Sequence, residues 1–294
     1  MKISKHIEDF GRGLACWYEL GDSDQECFFL AANGFPVASY QFMLAEFGEQ
    51  YRITALENRG AWPGQALPKG RGGWRRHAED LLRFLEYRRD TGKTTLPVTT
   101  IGHSIGAAVS LLAASMKPEW FKGVILIDPA TLPGRHLHKL NRITPLLMGR
   151  SGLVKSTASR QPQWESSEAF ARYHENKKVF RRFKPEAMRD YAAAAVLADE
   201  GGRLRYQREW EAWNFRHTPS LWQLLEKVSC PVHLLRAEYS NLLPARVFNH
   251  YKKDFAANVV HRDILGVGHM APQEDPAQVA SLVHRSLTQI LSVA

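Results

Sequence analysis

The feature that most constrains the fold is a serine between two glycines, at the junction of an apolar run and a helix of small residues. The run covers 96–101, and residues 102–106 read Gly-His-Ser-Ile-Gly. A strand that passes directly into a helix needs so tight a turn that a side chain at 102 or 106 would collide with its neighbours. The pattern therefore predicts a strand, turn and helix that raise Ser104 clear of a sheet, an arrangement called a nucleophile elbow.

Apolar runs alternate with amphipathic stretches on both sides of this elbow. The predicted strands are 26–32, 51–56, 97–101, 123–128, 231–237 and 259–264. Helical periodicity is found at 39–47 and 74–90, and again at 276–291. Continuous apolar runs indicate parallel strands that are buried on both faces. We therefore predict an α/β fold with a mostly parallel central sheet flanked by helices.

The alternation stops after Asp128, and the chain up to the strand at 231–237 has helical character. The helical stretches are 168–180, 185–198 and 206–227. An insertion at the edge of the sheet where catalytic loops gather predicts a helical cap over residues 132–228. The α/β core is then formed by residues 1–131 and 229–294.

The predicted cap carries most of the positive charge of the chain. It holds 18 Lys and Arg against 10 Asp and Glu, while the formal net charge of the whole chain is +9. Such a charge is typical of a solvated helical surface, and the alternative is attraction of an anionic substrate. Aromatic residues of the cap either line an acyl pocket or pack the cap against the core: Phe170, Tyr173, Phe180, Phe183 and Trp213.

An exposed serine of this kind needs a base, and His269 is the candidate. It lies in the loop 266–272, directly after the last predicted strand. This position puts an imidazole over the carboxyl ends of the strands, and the order of serine before histidine fits a hydrolytic site. By contrast, His103 is predicted to point away from the tip of the elbow, and His261 to lie inside its strand.

Two backbone N–H groups are predicted to form an oxyanion hole. One belongs to Ile105, the residue after the candidate nucleophile. The other belongs to Phe35, where Gly34 lets the backbone approach closely and Pro36 fixes the turn, leaving the N–H of Phe35 free. A plain Asn-Gly turn between a strand and a helix would have the same sequence.

Taken together, these segments resemble the α/β-hydrolase superfamily over nearly the whole chain. The matching segments are 33–36, 57–64, 102–106, 125–129 and 268–276. The resemblance implies a serine hydrolase with a helical cap, of the esterase or lipase type. Two positions depart from the family pattern: Asn33 replaces the usual histidine of the oxyanion loop, and Ser240 stands where the acid of the triad is usual.

Two carboxylates are therefore candidates for the acid that orients His269. Asp128 ends the strand after the elbow helix, where some relatives carry their acid. Glu238 ends the strand before the histidine loop. A carboxylate at either strand end could accept the Nδ1–H of the imidazole. We favour Asp128 and keep Glu238 as the alternative.

The predicted reaction is cleavage of a carboxylic ester, or a related acyl bond, through an acyl-enzyme on Ser104. A thioesterase or acyltransferase acting on an anionic acyl donor is the first alternative. A catalytically weak, hydrolase-like ligand-binding protein is the second. The expected partner is a small acyl substrate without cofactor, metal or nucleic acid, because the sequence has no metal-binding spacing and no aromatic-basic module.

The remaining expectations concern location and redox state. No run approaches the roughly 20 apolar residues of a membrane span, and the first nine residues lack the apolar core of a secretory signal. We therefore expect no membrane span and a cytoplasmic location. Cys16, Cys27 and Cys230 are far apart and odd in number, which predicts reduced thiols.

Overall fold

An eight-stranded sheet forms the centre of the fold in the computed structural model, which describes residues 3–47, 50–70, 72–132, 139, 143–220, 222–255 and 259–293. The strands are β1 (Ile3–Asp9), β2 (Leu14–Leu20), β3 (Glu26–Leu30), β4 (Arg52–Leu56), β5 (Val98–His103), β6 (Phe121–Ile127), β7 (Val196–Leu197), β8 (Arg203–Leu204), β9 (Val232–Ala237) and β10 (Val259–Ile264). The sheet has the order β1-β2-β4-β3-β5-β6-β9-β10, and β7 and β8 form a separate hairpin.

The helices flank this sheet, which confirms the predicted α/β fold class. They are α1 (Gln41–Ala45), α2 (Arg75–Asp90), α3 (Ile105–Met116), α4 (Thr144–Met148), α5 (Gly152–Ala158), α6 (Ser167–His174), α7 (Pro185–Ala195), α8 (Arg208–Arg216), α9 (Trp222–Leu225), α10 (Ala245–Asp254), α11 (Ala271–Glu274) and α12 (Pro276–Val293). No helix among the described residues is both long and apolar enough to cross a bilayer. The three cysteines are not joined by disulfides.

Six strands of the sheet are parallel: β3, β4, β5, β6, β9 and β10. Their burial explains why they can be predicted from the sequence. All six residues of β5 are buried, as are all but one of the seven residues of β6. Both faces of these strands lie under helices, so apolar side chains occupy both. Parallel strands also bring their carboxyl ends to one edge, where the loops after β3, β5, β6, β9 and β10 meet.

The sequence analysis missed β1 and β2. They form an antiparallel pair, and β2 joins the sheet antiparallel to β4. As the outer strand, β1 has no buried residue, so it lacks the apolar run by which the other strands are predicted. Helix α10 was missed as well.

Helices α4–α9 lie between β6 and β9, as the sequence predicts, but their bounds differ. The predicted helix at 206–227 is divided into α8 and α9. Pro219 lies between them, and proline cannot continue a helix because it lacks an N–H and its ring clashes with the preceding turn. The predicted helix at 168–180 ends at His174, so residues 175–184 connect α6 to α7 without helical structure.

A buried carboxylate at the end of β4 gives the fold a testable dependence on pH. Glu57 is 1% exposed, and both its oxygens lie 3.1 Å from the N–H of Val37. Burial raises the pKa of the Glu57 carboxyl to about 7 from its ordinary value of 4.5, so the folded chain binds this proton more tightly than the unfolded chain.

The resulting stabilisation is complete below pH 4.5 and is lost as the pH rises through 7. We expect the free energy of unfolding of the wild type, relative to Glu57→Gln, to fall by about 2 to 3 kcal/mol between pH 5 and pH 8. Urea unfolding of both proteins at the two pH values measures this difference. A difference that is constant with pH would contradict it.

Candidate active site

The elbow has the backbone geometry that the sequence predicts. Ser104 lies between β5 and α3 with φ of 55° and ψ of −115°, a conformation rare for a residue with a side chain. A Cβ at position 102 would lie 2.4 Å from the backbone of Gly106, and one at position 106 would lie 2.2 Å from the carbonyl oxygen of Leu30. Both glycines are therefore required by close backbone contacts.

The structure brings Ser104, His269 and Asp128 together. The Oγ of Ser104 is 2.9 Å from Nε2 of His269, and Nδ1 of His269 is 2.6 Å from Oδ2 of Asp128. These residues come from the ends of β5, β10 and β6, three parallel strands that share one edge of the sheet. The imidazole can take a proton from the serine hydroxyl while its other nitrogen donates to a carboxylate.

Asp128 is fully buried, and neighbouring donors hold its carboxylate in place. Its Oδ1 accepts the N–H of Ala237 at 3.0 Å, and its Oδ2 accepts the hydroxyl of Ser240 at 2.6 Å. Ser240 is the residue found where the family usually has its acid. Here its hydroxyl donates to an acid supplied by the neighbouring strand, a contact that the sequence analysis did not foresee.

Glu238, the alternative acid, has a different environment. Its side chain is exposed, and its carboxylate accepts the N–H of Gly266 at 2.8 Å. Among the described residues, no hydrogen bond or ion pair joins it to His269. The geometry therefore favours Asp128.

A buried histidine, His103, contacts the loop that carries the partly exposed His269. Both ring nitrogens of His103 face away from the serine: Nε2 donates to the carbonyl oxygen of His269 at 2.8 Å, and the hydroxyl of Tyr40 donates to Nδ1 at 2.7 Å. The Tyr40 oxygen in turn accepts the N–H of Ala32 at 3.0 Å. Burial lowers the pKa of His103 to about 3, so its imidazole is neutral.

This chain of hydrogen bonds joins the loop after β3 to the loop that carries His269. Sequence reasoning predicts the direction of His103 but not its partners. The sequence signal for this contact is the histidine directly before the elbow serine. Its partners, Tyr40 and the carbonyl oxygen of His269, can be identified only from the folded structure, in which the two loops lie close together.

The two predicted oxyanion donors differ in the structure. The N–H of Ile105 opens α3, and no hydrogen bond within the described residues uses it. The N–H of Phe35, in contrast, donates to the carbonyl oxygen of Ala32 at 3.2 Å and closes a tight turn. The prediction that this N–H is free is therefore wrong, because Gly34, with φ of 77°, folds the loop back onto Ala32.

Asn33, which stands at the position of the usual histidine, binds helix α8 through both ends of its amide. Its Nδ2 donates to the carbonyl oxygen of Glu211 at 3.0 Å. Its Oδ1 accepts from Nδ2 of Asn214 at 2.9 Å and from the hydroxyl of Tyr206 at 3.1 Å. The buried amide thus fixes the loop after β3 to the inserted helices.

An ion pair between the buried Glu211 and the partly exposed Arg160 lies beside the same loop. Arg160 donates from Nη1 to Oε2 of Glu211 at 2.6 Å. A Cβ at position 34 would lie 2.7 Å from the carboxyl carbon of Glu211, and the φ of 77° independently favours glycine there. Burial raises the pKa of Glu211, and the charge of Arg160 opposes that shift.

The aromatic residues predicted for the cap fall into three environments. Phe180 and Phe183 lie with ring centres 6.2 and 6.3 Å from that of Phe35, which also stacks on Tyr191 at 4.4 Å. Phe170 is buried against Tyr191, and Tyr173 is exposed. Trp213 belongs to a separate cluster with Trp210. Of these five aromatic residues, Phe180 and Phe183 are therefore the two whose rings contact Phe35 in the predicted oxyanion loop.

No group of three or more histidine, cysteine or carboxylate side chains within the described residues is arranged to hold a metal ion. The chemistry that this arrangement supports is proton transfer between a serine and a histidine.

The comparison with known proteins agrees with the α/β fold. The model of the alpha/beta hydrolase family matches residues 27–282, and the chain belongs to this family. No curated protein matches the chain significantly.

Several solved structures share the fold across nearly the whole chain. An E-2-(acetamidomethylene)succinate hydrolase has a TM-score of 0.78 at 18% identity, over 97% of this chain and 98% of its own. The thioesterase domain of the curacin biosynthetic pathway has a TM-score of 0.75 at 17% identity, over 96% and 99%. A thermophilic esterase from Thermogutta terrifontis has a TM-score of 0.65 at 17% identity, over 99% of both chains. Identities this low establish a common fold only.

Proposed function

We propose that the chain is a serine hydrolase that cleaves a carboxylic ester through an acyl-enzyme intermediate. The observation that carries this proposal is the continuous hydrogen-bond chain from Ser104 through His269 to Asp128. A buried carboxylate on one nitrogen of an imidazole and a serine hydroxyl on the other are what general-base activation of a serine requires.

Each residue has a distinct role in the proposed reaction. His269 takes the proton of the Ser104 hydroxyl as the oxygen attacks the ester carbonyl, and then gives that proton to the leaving alcohol. Asp128 stabilises the imidazolium, and hydrogen bonds from Ala237 and Ser240 hold its carboxylate in place. Water then attacks the acyl-enzyme with His269 as its base, which releases the acid and restores the serine.

The oxyanion hole belongs to the same proposal. The N–H of Ile105 supplies the first donor to the tetrahedral oxyanion. The N–H of Phe35 supplies the second by sharing its proton between the substrate oxygen and the carbonyl of Ala32, whose existing bond is long at 3.2 Å.

We further propose that residues 132–228 act as a cap on a core of residues 1–131 and 229–294. Contacts of Phe180, Phe183, Glu211 and Asn214 with the loop of residues 33–35 support it. Residues 133–138, 140–142 and 221 of this range lie outside the described residues.

Labelling with a fluorophosphonate tests the proposal, because an activated serine displaces the fluoride and is phosphonylated, whereas an ordinary serine does not react. We expect rapid, stoichiometric modification of Ser104, located by peptide mass spectrometry, and hydrolysis of p-nitrophenyl esters by the unlabelled protein. The matched control is Ser115→Ala, which removes a hydroxyl near the far end of the same helix and should be labelled at the wild-type rate. Slow labelling without ester turnover would instead support a ligand-binding protein.

A further inference from the structure

The connection between α6 and α7 begins with Glu175 and Asn176 and is strongly basic from residue 177 onward. Residues 177–184 read Lys-Lys-Val-Phe-Arg-Arg-Phe-Lys, five cations without a carboxylate, and we call this segment the basic strap. All five cationic side chains are exposed. None of them forms an ion pair with a carboxylate of the described residues. Their mutual repulsion is therefore not offset by direct ion pairs within that part of the chain.

The contacts of the basic strap place it across the two loops that flank Ser104. Phe180 and Phe183 pack on Phe35, in the loop after β3. Between them, Arg182 donates from Nη1 to the carbonyl oxygen of Gly266 at 3.1 Å, in the loop that carries His269. The guanidinium of Arg182 also lies 4.5 Å from the ring centre of Tyr239.

These anchors divide the basic strap into two kinds of side chain. The two phenylalanines and Arg182 hold it to the core, while Lys177, Lys178, Arg181 and Lys184 have no carboxylate partner among the described residues. A segment that served only to keep a helical surface hydrated would not need to be fixed to both loops of the candidate site. Four cations without a carboxylate partner among the described residues, one of which (Lys177) lies over the ring of Tyr173, create a positive potential at the loops of the candidate site.

We propose that the basic strap binds a phosphorylated leaving group of the acyl substrate. This inference rests on the proposed function, because it assigns the group that the acyl-enzyme step releases. Lysine and arginine side chains bind phosphate oxygens with charge-assisted hydrogen bonds. The cations of the basic strap are exposed to solvent. We therefore expect them to strengthen substrate binding, and so to affect KM more than kcat.

Two thioesters that differ only beyond the reacting sulfur provide the test. Butyryl-coenzyme A carries phosphates, and the butyryl thioester of N-acetylcysteamine does not. The strap variant combines Lys177→Gln, Lys178→Gln and Arg181→Gln. Its matched control combines Lys93→Gln, Lys117→Gln and Lys253→Gln, which removes the same charge. The control lysines are exposed and precede β5, β6 and β10, so they lie at the opposite edge of the sheet.

The measured quantity is the ratio of kcat/KM for the coenzyme A thioester to kcat/KM for the neutral one. We expect this ratio to fall about tenfold in the strap variant, through KM, because each exposed cation contributes modestly. The control should keep the wild-type ratio. Added salt should lower the ratio of the wild type and have a smaller effect on that of the strap variant.

Several outcomes would overturn the inference. An equal fall in both variants would mean that only net charge matters. An unchanged ratio in the strap variant, or no turnover of either thioester by a protein that is labelled at Ser104 and hydrolyses p-nitrophenyl esters, would leave the proposed function intact and remove the phosphate site. If the strap variant lost binding to anionic vesicles but kept the wild-type ratio of kcat/KM for the two thioesters, the basic strap would instead bind a lipid surface. Absence of labelling would remove the proposed function itself.

Discussion

Ser104→Ala is expected to lower kcat for p-nitrophenyl butyrate by about 10⁶-fold, because alanine leaves no oxygen to form the acyl-enzyme. The remaining rate would come from substrate binding and from the oxyanion donors. Initial rates over the wild-type substrate range measure the loss.

Two checks make this result specific. Ser115→Ala should keep the wild-type kcat, since Ser115 donates only to the carbonyl oxygen of Leu112 in its own helix. The unfolding midpoint of Ser104→Ala should be close to that of the wild type. Such a result would show that the loss of activity does not come from unfolding. If Ser104→Ala kept a tenth or more of the activity, another nucleophile would carry the reaction.

Asp128→Asn is expected to lower kcat by about 10⁴-fold. An amide at this position removes the charge that stabilises the imidazolium, and it favours the wrong tautomer of His269. Glu238→Gln should change kcat less than about twofold, because its carboxylate binds the N–H of Gly266 and is exposed. Small, equal losses in the two variants would show that neither residue is the acid.

Ser240 offers a gain-of-function test of the same assignment. Its hydroxyl and Nδ1 of His269 each lie 2.6 Å from Oδ2 of Asp128. A carboxylate introduced by Ser240→Asp would therefore reach the region that Asp128→Asn leaves uncharged. We expect kcat of the double variant to be about tenfold higher than kcat of Asp128→Asn alone. Ser240→Asn in the same background is the matched control and should recover none.

The sequence predicts features of this chain that depend on neighbouring residues and on buried strands. The glycines at 102 and 106, the parallel strands and the α/β class all follow from local steric limits and apolar runs. Ser104, His269 and Asp128 are predicted to meet because they follow strands whose carboxyl ends share an edge. Their catalytic roles stay predictions until the variants are measured.

Other features depend on contacts between distant parts of the chain, which apolar periodicity does not encode. The contact of Ser240 with Asp128 spans 112 residues, and that of Asn33 with Asn214 spans 181. The bond from Phe35 to Ala32 is local, yet it depends on a turn conformation that an Asn-Gly-Phe-Pro sequence permits without requiring. The outer strand β1 escapes notice because it is not buried.

The hydrogen bonds between Asn33 and helix α8 limit how a substrate can enter the candidate site. Outward movement of α8 would pull Glu211 and Asn214 away from the Asn33 amide and leave its polar atoms unsatisfied in a buried position. Phe35 lies two residues further along the same loop, so the proposed oxyanion hole would lose its shape in that movement. A substrate that entered by displacing α8 would therefore also disturb the loop that carries one of the two proposed oxyanion donors.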